Sequence, residues 1–261
     1  MLKLRIIPTI LKNSAVVVKG KNFSKSRVIG PLLPLLKVYQ SRDVDELIII
    51  DVSPKKSNNE ERFEWLSNVT SFTTMPLSVG GGIKTLSQAS RIIELGADKV
   101  ILNSVIQENP SLITSIAEKH GSQSIIASID VIRFENKFLL YDSWSSKHTS
   151  EDILETIKIA QEYGAGEIFL TSVSREGCRM GFDFNLLNYV KDKINIPLIY
   201  HGGASNKEDF LSIIDFANKK NIRLDALAAG SCFQFSSLTP AEVAEFLHLA
   251  NIPVRQIHNN F

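Results

Sequence analysis

Two glycine pairs, one aspartate and one lysine carry most of the chemistry readable from this sequence. Gly81-Gly82 and Gly202-Gly203 each follow an apolar run. Beyond each comes a helical stretch, a further run and a small polar pair: Asn103-Ser104 in the first case, Gly230-Ser231 in the second. Glycine lets backbone N–H groups close on an anion, and a helix start beyond it adds positive dipole. Two such sets suit a substrate with a phosphate at each end; the plainer alternative is that the glycines only make tight turns. Asp130 and Asp51 each close an apolar run, and Lys19 lies in the loop after the first run. A carboxylate and an amine there are groups that general acid–base catalysis needs, although an aspartate at a strand end also serves as a helix cap. A further group stands at the opposite ends of the runs: Arg5, Glu46, Lys99 and Glu167. Pointing inward, they form a ring of two positive and two negative charges, and buried charges persist only when paired. Pointing outward, they are four solvated rim residues.

The elements that must position these groups alternate. Eight apolar runs, Arg5–Leu11, Glu46–Asp51, Pro76–Val79, Lys99–Leu102, Ser124–Asp130, Glu167–Thr171, Pro197–Tyr200 and Ala226–Ala229, are nearly continuous in Ile, Leu, Val and Ala. That is the pattern of parallel strands covered by helices. Between them lie amphipathic stretches. Thr85–Leu95 puts Leu86, Ala89, Ile92 and Ile93 on one face and stops at Gly96; Ser150–Tyr163 begins at Ser150 as N-cap and stops at Gly164. Eight βα units in 261 residues predict one α/β domain, a closed (β/α)₈ TIM barrel filling the chain. In such a barrel the active site lies at the C-terminal ends of the strands, where the glycine pairs and Asp130 fall.

The chain also repeats itself. Glu46 opens ELIIID and Glu167, 121 residues later, opens EIFLTS; each is followed at the same distance by Pro-Leu and then by Gly-Gly. The stretch from Gly-Gly to the small polar pair is six residues longer in the second half, which places an insertion at Lys219–Leu224. The expectation is a half-barrel duplicated, over approximately 1–120 and 121–261. In the same alignment Ile6–Leu11 (IIPTIL) matches Ile125–Asp130 (IIASID), so Asp130 is answered by Leu11. A carboxylate is absent where the repeat would put one, and a two-carboxylate proton shuttle cannot run on one carboxylate.

Composition excludes several classes. The formal net charge of +1 marks neither nucleic acid nor a membrane surface as the partner. No run approaches the roughly 18 apolar residues of a span, and the start lacks a signal-peptide core, so a cytoplasmic protein is expected. Cys178 and Cys232 form no C-x-x-C and read as packing residues. No G-x-G-x-x-G opens the first unit; no cofactor and no metal are expected.

The stretches RIIPTIL, VVVKGKNF, DELIIID, VGGGI, GADKVILNS, ENPSLI, GSQSIIASID, GAGEIFLTS, REGCRMGFD, HGGA and LAAGS run from the first strand to the eighth. Together they resemble the cyclase subunit (HisF family) of imidazole glycerol phosphate synthase, a half-barrel-duplicated (β/α)₈ lyase of histidine biosynthesis. That family takes ammonia from a separate glutaminase subunit docked on the barrel floor and combines it with a bisphosphorylated carboxamide ribonucleotide. Carried over residue by residue, the resemblance implies that Asp130 and Lys19 are catalytic. It implies one phosphate site at Gly82, Asn103 and Ser104 and another at Gly177, Gly203, Gly230 and Ser231. It makes Arg5, Glu46, Lys99 and Glu167 a charged gate for ammonia, and Asp98 and Gln123 part of the glutaminase-docking face.

The departures from the family pattern fall at the mouth. The first-strand aspartate is Leu11, the Asp-Gly after strand six is Glu176-Gly177, a serine before the strand-seven glycines is His201, and a Ser-Gly after strand five is Trp144-Ser145. Paralogues associated with surface-polysaccharide pathways, working with a glutaminase and a sugar amidotransferase, share the aliphatic first-strand residue, and the chain is more similar to them. Three functions follow as expectations: a paralogue delivering ammonia for amidination of a surface sugar, the histidine-pathway lyase itself, or a scaffold that only activates a glutaminase.

Overall fold

The computed structural model describes residues 3–255 other than 25, 43, 54–62, 72, 136, 144 and 146. Its strands are β1 (Arg5–Asn13), β2 (Val16–Lys19), β3 (Arg27–Pro31), β4 (Leu47–Asp51), β5 (Leu77–Gly80), β6 (Lys99–Leu102), β7 (Ile125–Phe134), β8 (Lys137–Asp142), β9 (Lys147–Asp152), β10 (Glu167–Ser172), β11 (Leu198–His201) and β12 (Ala226–Ala229). Its helices are α1 (Leu32–Ser41), α2 (Trp65–Thr70), α3 (Leu86–Glu94), α4 (Val105–Glu108), α5 (Ser111–His120), α6 (Ile153–Glu162), α7 (Phe184–Tyr189), α8 (Lys207–Lys220), α9 (Ser231–Gln234) and α10 (Pro240–Leu249).

Eight strands pair in parallel in the cycle β1-β4-β5-β6-β7-β10-β11-β12, and β12 returns to β1 with Arg5 opposite Ala226 and Pro8 opposite Ala229. The barrel is closed, and its strands are the eight apolar runs, two of them (Lys99–Leu102 and Ala226–Ala229) with the same bounds and six with one or both ends shifted. Closure leaves no edge among these eight. Two strands outrun the rim. β1 continues into the antiparallel pair β2 and β3, and β7 into β8 and β9. Both excursions rise at the C-terminal end of the barrel, where they wall the mouth. Lys19, expected in a loop, is therefore the last residue of β2, fixed by strand pairing.

The helices close the outside. In α3 Ala89 and Ile92 are fully buried, Leu86 and Ile93 pack half-buried on the core, and the Thr85 hydroxyl accepts from the Gln88 N–H at 3.2 Å. The cap of α6 is not Ser150, which lies within β9, but Asp152, whose carboxylate accepts from the Leu154 N–H at 3.0 Å. A carboxylate at the helix start also meets the positive end of its dipole. The extra length of the second half begins earlier than Lys219: α8 has 14 residues against 9 in α3, and only one additional residue lies in the connection to the next strand. No described helix is long and apolar enough to cross a membrane.

The apolar core has two bodies. The larger lies between strands and helices; the smaller fills the barrel with Ile7, Ile48, Ile101, Ile126, Phe169, Ile199, Ala226 and Ala228. Burying each Ile or Phe of this set stabilises by about 1.5–3 kcal/mol, so the interior is a packed layer that divides the floor from the mouth.

Candidate active site

Below the apolar layer the four charged residues point inward and meet. Arg5 donates to Glu46 at 2.7 Å and to Glu167 at 2.8 Å; Lys99 lies 3.3 Å from Glu46 and 2.7 Å from Glu167. The Ser78 hydroxyl adds a 2.6 Å bond to Glu46. Burial raises the cost of the Glu167 charge, but Arg5 and Lys99 outweigh it and hold the carboxyl below its ordinary value. Burial likewise disfavours the Arg5 charge, and Glu167 and Glu46 reverse this, holding the guanidinium above its ordinary value. Asp98 and Gln123 stand exposed at the same end, immediately before β6 and before β7; the Asp98 carboxylate accepts from the Leu77 N–H at 2.8 Å.

Above the layer a cavity of about 410 Å³ opens at the mouth, with Ile50, Ile101 and Phe169 at its base. Gly82, Asn103 and Ser104 line one side, and all three are partly exposed. Gly81, at φ 127°, lies so close to the Asp51 backbone and Cβ that no side chain fits there. Asp130 reaches the same cavity from β7. Asn103 Nδ2 donates to Asp130 Oδ2 at 3.0 Å and to the Ser128 carbonyl at 3.1 Å. Burial pushes the Asp130 carboxyl up to about 7, the Asn103 hydrogen bond opposes this, and the charge of Glu176 adds to it. A carboxyl poised there exchanges protons readily at neutral pH. Leu11 lines the cavity from β1, and Asp51 is turned to Lys12 at 3.1 Å.

Across the mouth the structure builds a cluster that no single stretch of sequence announces. Glu176 is fully buried; one carboxylate oxygen pairs with Lys19 and the other lies 3.2 Å from His201 Nε2. The His201 ring is also 3.3 Å from Thr9 Oγ1 and 3.2 Å from Thr171 Oγ1. Burial lowers the imidazole to about 4; the Glu176 charge pulls it up and Lys19 down, and it is neutral at pH 7. Burial would raise the Glu176 carboxyl, yet Lys19 and His201 beside it, with hydrogen bonds from Lys19 and the Gly177 backbone, together outweigh this and hold the group below its ordinary value. Two of the departures read from the sequence, Glu176 and His201, are thus partners. They meet because β10 and β11 are neighbours, with Thr171 opposite His201, and the turn after β10 brings Glu176 back over the end of β11. No spacing in the sequence signals that turn.

The second phosphate set lies elsewhere. Gly203, Gly230 and Ser231 are buried, Gly177 is half-buried, and none of them lines the cavity. Gly181 N–H donates to the Gly203 carbonyl at 2.9 Å, and a Cβ on Gly230 would lie 2.8 Å from Lys19 Nζ. The structure therefore unites Asp130, Gly82, Asn103 and Ser104 with Lys19 at one cavity and leaves the other four residues behind Lys19 and Glu176. Trp144 falls outside the described residues; Ser145 is exposed. Cys232 is buried, its thiol pushed by burial up to about 12, as a packing residue requires. Among the described residues no group of His, Cys, Asp and Glu is arranged to hold a metal.

A family model described as "Histidine biosynthesis protein" matches residues 5–239. A protein of Campylobacter jejuni, provisionally named imidazole glycerol phosphate synthase subunit hisF2, is 40% identical over 258 residues, spanning 98% of this chain and 99% of its own. The imidazole glycerol phosphate synthase subunit HisF of Pyrococcus furiosus is 37% identical across 98% of this chain and 99% of its own, and that of Chlorobium limicola is 35% identical across 98% and 100%.

Proposed function

This chain belongs to the histidine biosynthesis protein family, HisF-like along almost its whole length, and from that premise we propose that it is the ammonia-receiving subunit of a glutamine amidotransferase pair. A glutaminase docks at the floor beside Asp98 and Gln123. Ammonia passes the ring of Arg5, Glu46, Lys99 and Glu167, crosses the apolar layer and reaches the mouth. The observation that carries this reading is the floor ring. Apolar residues would plug a barrel with less desolvation cost, so four inward charges beneath an apolar layer call for a use. An interior of Ile7, Ile48, Ile126, Phe169 and Ile199 admits neutral ammonia and rejects ammonium, whose charge would be stripped of water there.

At the mouth, ammonia adds to a carbonyl-type carbon of the acceptor, which is held by its phosphate at Gly82, Asn103 and Ser104; as the C–N bond forms the C=O π pair moves to oxygen, and Asp130 takes the proton lost by nitrogen and passes it to that oxygen. With Leu11 opposite Asp130 and Glu176 and His201 rebuilt, the acceptor we favour is not the histidine-pathway nucleotide but a surface-polysaccharide sugar. Its amidination would be completed with a sugar amidotransferase. Mixing the purified chain with the glutaminase subunit of its own organism tests the pairing. A stable one-to-one complex and a rise in glutamine hydrolysis of at least about tenfold are expected. Failure of both ends the proposal.

A further inference from the structure

The two anion sites expected at the mouth are unequal. Gly82, Asn103 and Ser104 are partly exposed and line the cavity; Gly203, Gly230 and Ser231 are buried and do not. Between the second set and the cavity stand Lys19 and Glu176. Lys19 Nζ lies directly over Gly230, the position from which it would meet a phosphate, but its charge is already matched by Glu176. His201 adds no positive charge, because burial keeps its ring neutral. Glu176 is also held in place from its own backbone. Asn22 N–H donates to the Glu176 carbonyl at 2.8 Å, and Asn22 Nδ2 donates to the Val173 and Ser174 carbonyls at 3.1 and 2.8 Å. The turn after β2 is thereby latched to the turn after β10. A phosphate arriving here would have to strip Lys19 from Glu176 or lie beside a buried carboxylate, and either is opposed by charge repulsion in a water-poor site.

We infer that the mouth accepts a molecule with one phosphate-type anion, held at Gly82, Asn103 and Ser104, and that Glu176 converts the opposite end into a neutral subsite for hydroxyl or amide groups. The carboxylate, the His201 ring and the Thr9 and Thr171 hydroxyls supply the hydrogen bonds that such groups need. This rests on the reading of the mouth as the acceptor site. It narrows the acceptor to a polar molecule with a single phosphate group, such as a sugar monophosphate. The buried Ser231 hydroxyl behind Lys19 has no hydrogen-bond partner among the described residues.

The test uses the whole chain and a matched pair of probes, fructose 6-phosphate and fructose 1,6-bisphosphate, titrated calorimetrically. The two should bind within about threefold of one another. In ³¹P spectra of the bound bisphosphate, one phosphate resonance should shift and lose its titration while the other behaves as in free ligand. In Glu176→Gln, which keeps the shape but frees Lys19, the bisphosphate should gain at least about tenfold over the monophosphate. A wild-type chain that prefers the bisphosphate tenfold and perturbs both resonances overturns the inference and leaves the acceptor-site reading standing. So does a folded Glu176→Gln variant without that gain. If neither probe binds the wild type, both the inference and the acceptor-site reading fall. Should the variant not fold, the wild-type affinities and spectra decide alone.

Discussion

Asp130 is buried at a point where ionisation is costly, and that cost can be measured as stability. Its carboxyl is pushed to about 7 from an ordinary 3.8. Between these values the folded chain keeps a proton that the unfolded chain has released, so folding takes up a proton and stability falls as pH rises through this window, levelling above it. Asp130→Asn removes the cost. It should be near neutral in urea unfolding at about pH 4, and stabilising by roughly 2–4 kcal/mol at about pH 8, at one pKa unit per 1.4 kcal/mol. Equal effects at both pH values would show an ordinary carboxyl with no poised role. Leu11 makes the complementary case. It can neither give nor take a proton, so with the histidine-pathway substrate and free ammonium salts the chain should run at least about 10²-fold below a relative with aspartates at both positions. Absorbance assays of the imidazole product check this; comparable turnover would restore the histidine enzyme as the reading. Recovery in Leu11→Asp would identify the missing carboxylate as the main lesion, and no recovery would point to Glu176 and His201.

At the scale of elements, what the sequence made legible followed from burial. The eight barrel strands are largely buried on both faces, so they read as unbroken apolar runs, and apart from the extensions of β1 and β7 their ends lie within one residue of those runs. The excursions did not read. β9 (KHTSED) has neither alternation nor an apolar run, and it is a strand only because β8 supplies its hydrogen bonds. The cap of α6 failed for a related reason. Ser150 is an ordinary N-cap type, but the strand runs past it and gives the task to Asp152, which also accepts from the Tyr189 hydroxyl at 2.8 Å. Asp152→Ala should therefore cost about 1–2 kcal/mol in denaturant unfolding. A loss near zero would return the cap to another residue. The candidate site divided in the same way. Asp130, Gly82, Asn103 and Ser104 were legible because strand ends converge in any closed barrel. The Glu176–His201 contact depended on one loop's conformation, which composition and spacing do not carry.

For the whole molecule, the decisive contrast is between floor and mouth, separated by one apolar layer. Every oppositely charged pair in the floor ring is in contact, with Arg5 and Lys99 about one-fifth exposed and Glu46 nearly buried. Removing a single member strands the others. Glu46→Ala should cost about 3–5 kcal/mol, because two cations then share Glu167 in a poorly solvated place. Acid should act in the same direction. The Glu167 carboxyl lies below its ordinary value in the fold, so its contribution is present above the unfolded value and is lost as pH falls through the folded one. Replacing all four together is different. Arg5→Met, Glu46→Leu, Lys99→Met and Glu167→Leu remove every charge at once, leave none unpaired, and swap desolvated ions for packed apolar volume, an exchange that is often neutral or stabilising. We expect that quadruple variant to unfold at the same or a higher urea concentration than the wild type. If the ring serves ammonia passage and the partner, the same variant should lose its stimulation of the glutaminase despite its intact fold. Size-exclusion chromatography and glutamine hydrolysis, measured beside the unfolding curve, separate the possibilities. A stable variant that still stimulates would mean that the ring is not used by the partner. A variant that loses stability in proportion to the charges removed would make the ring a structural floor, retained because the barrel cannot close as well without it.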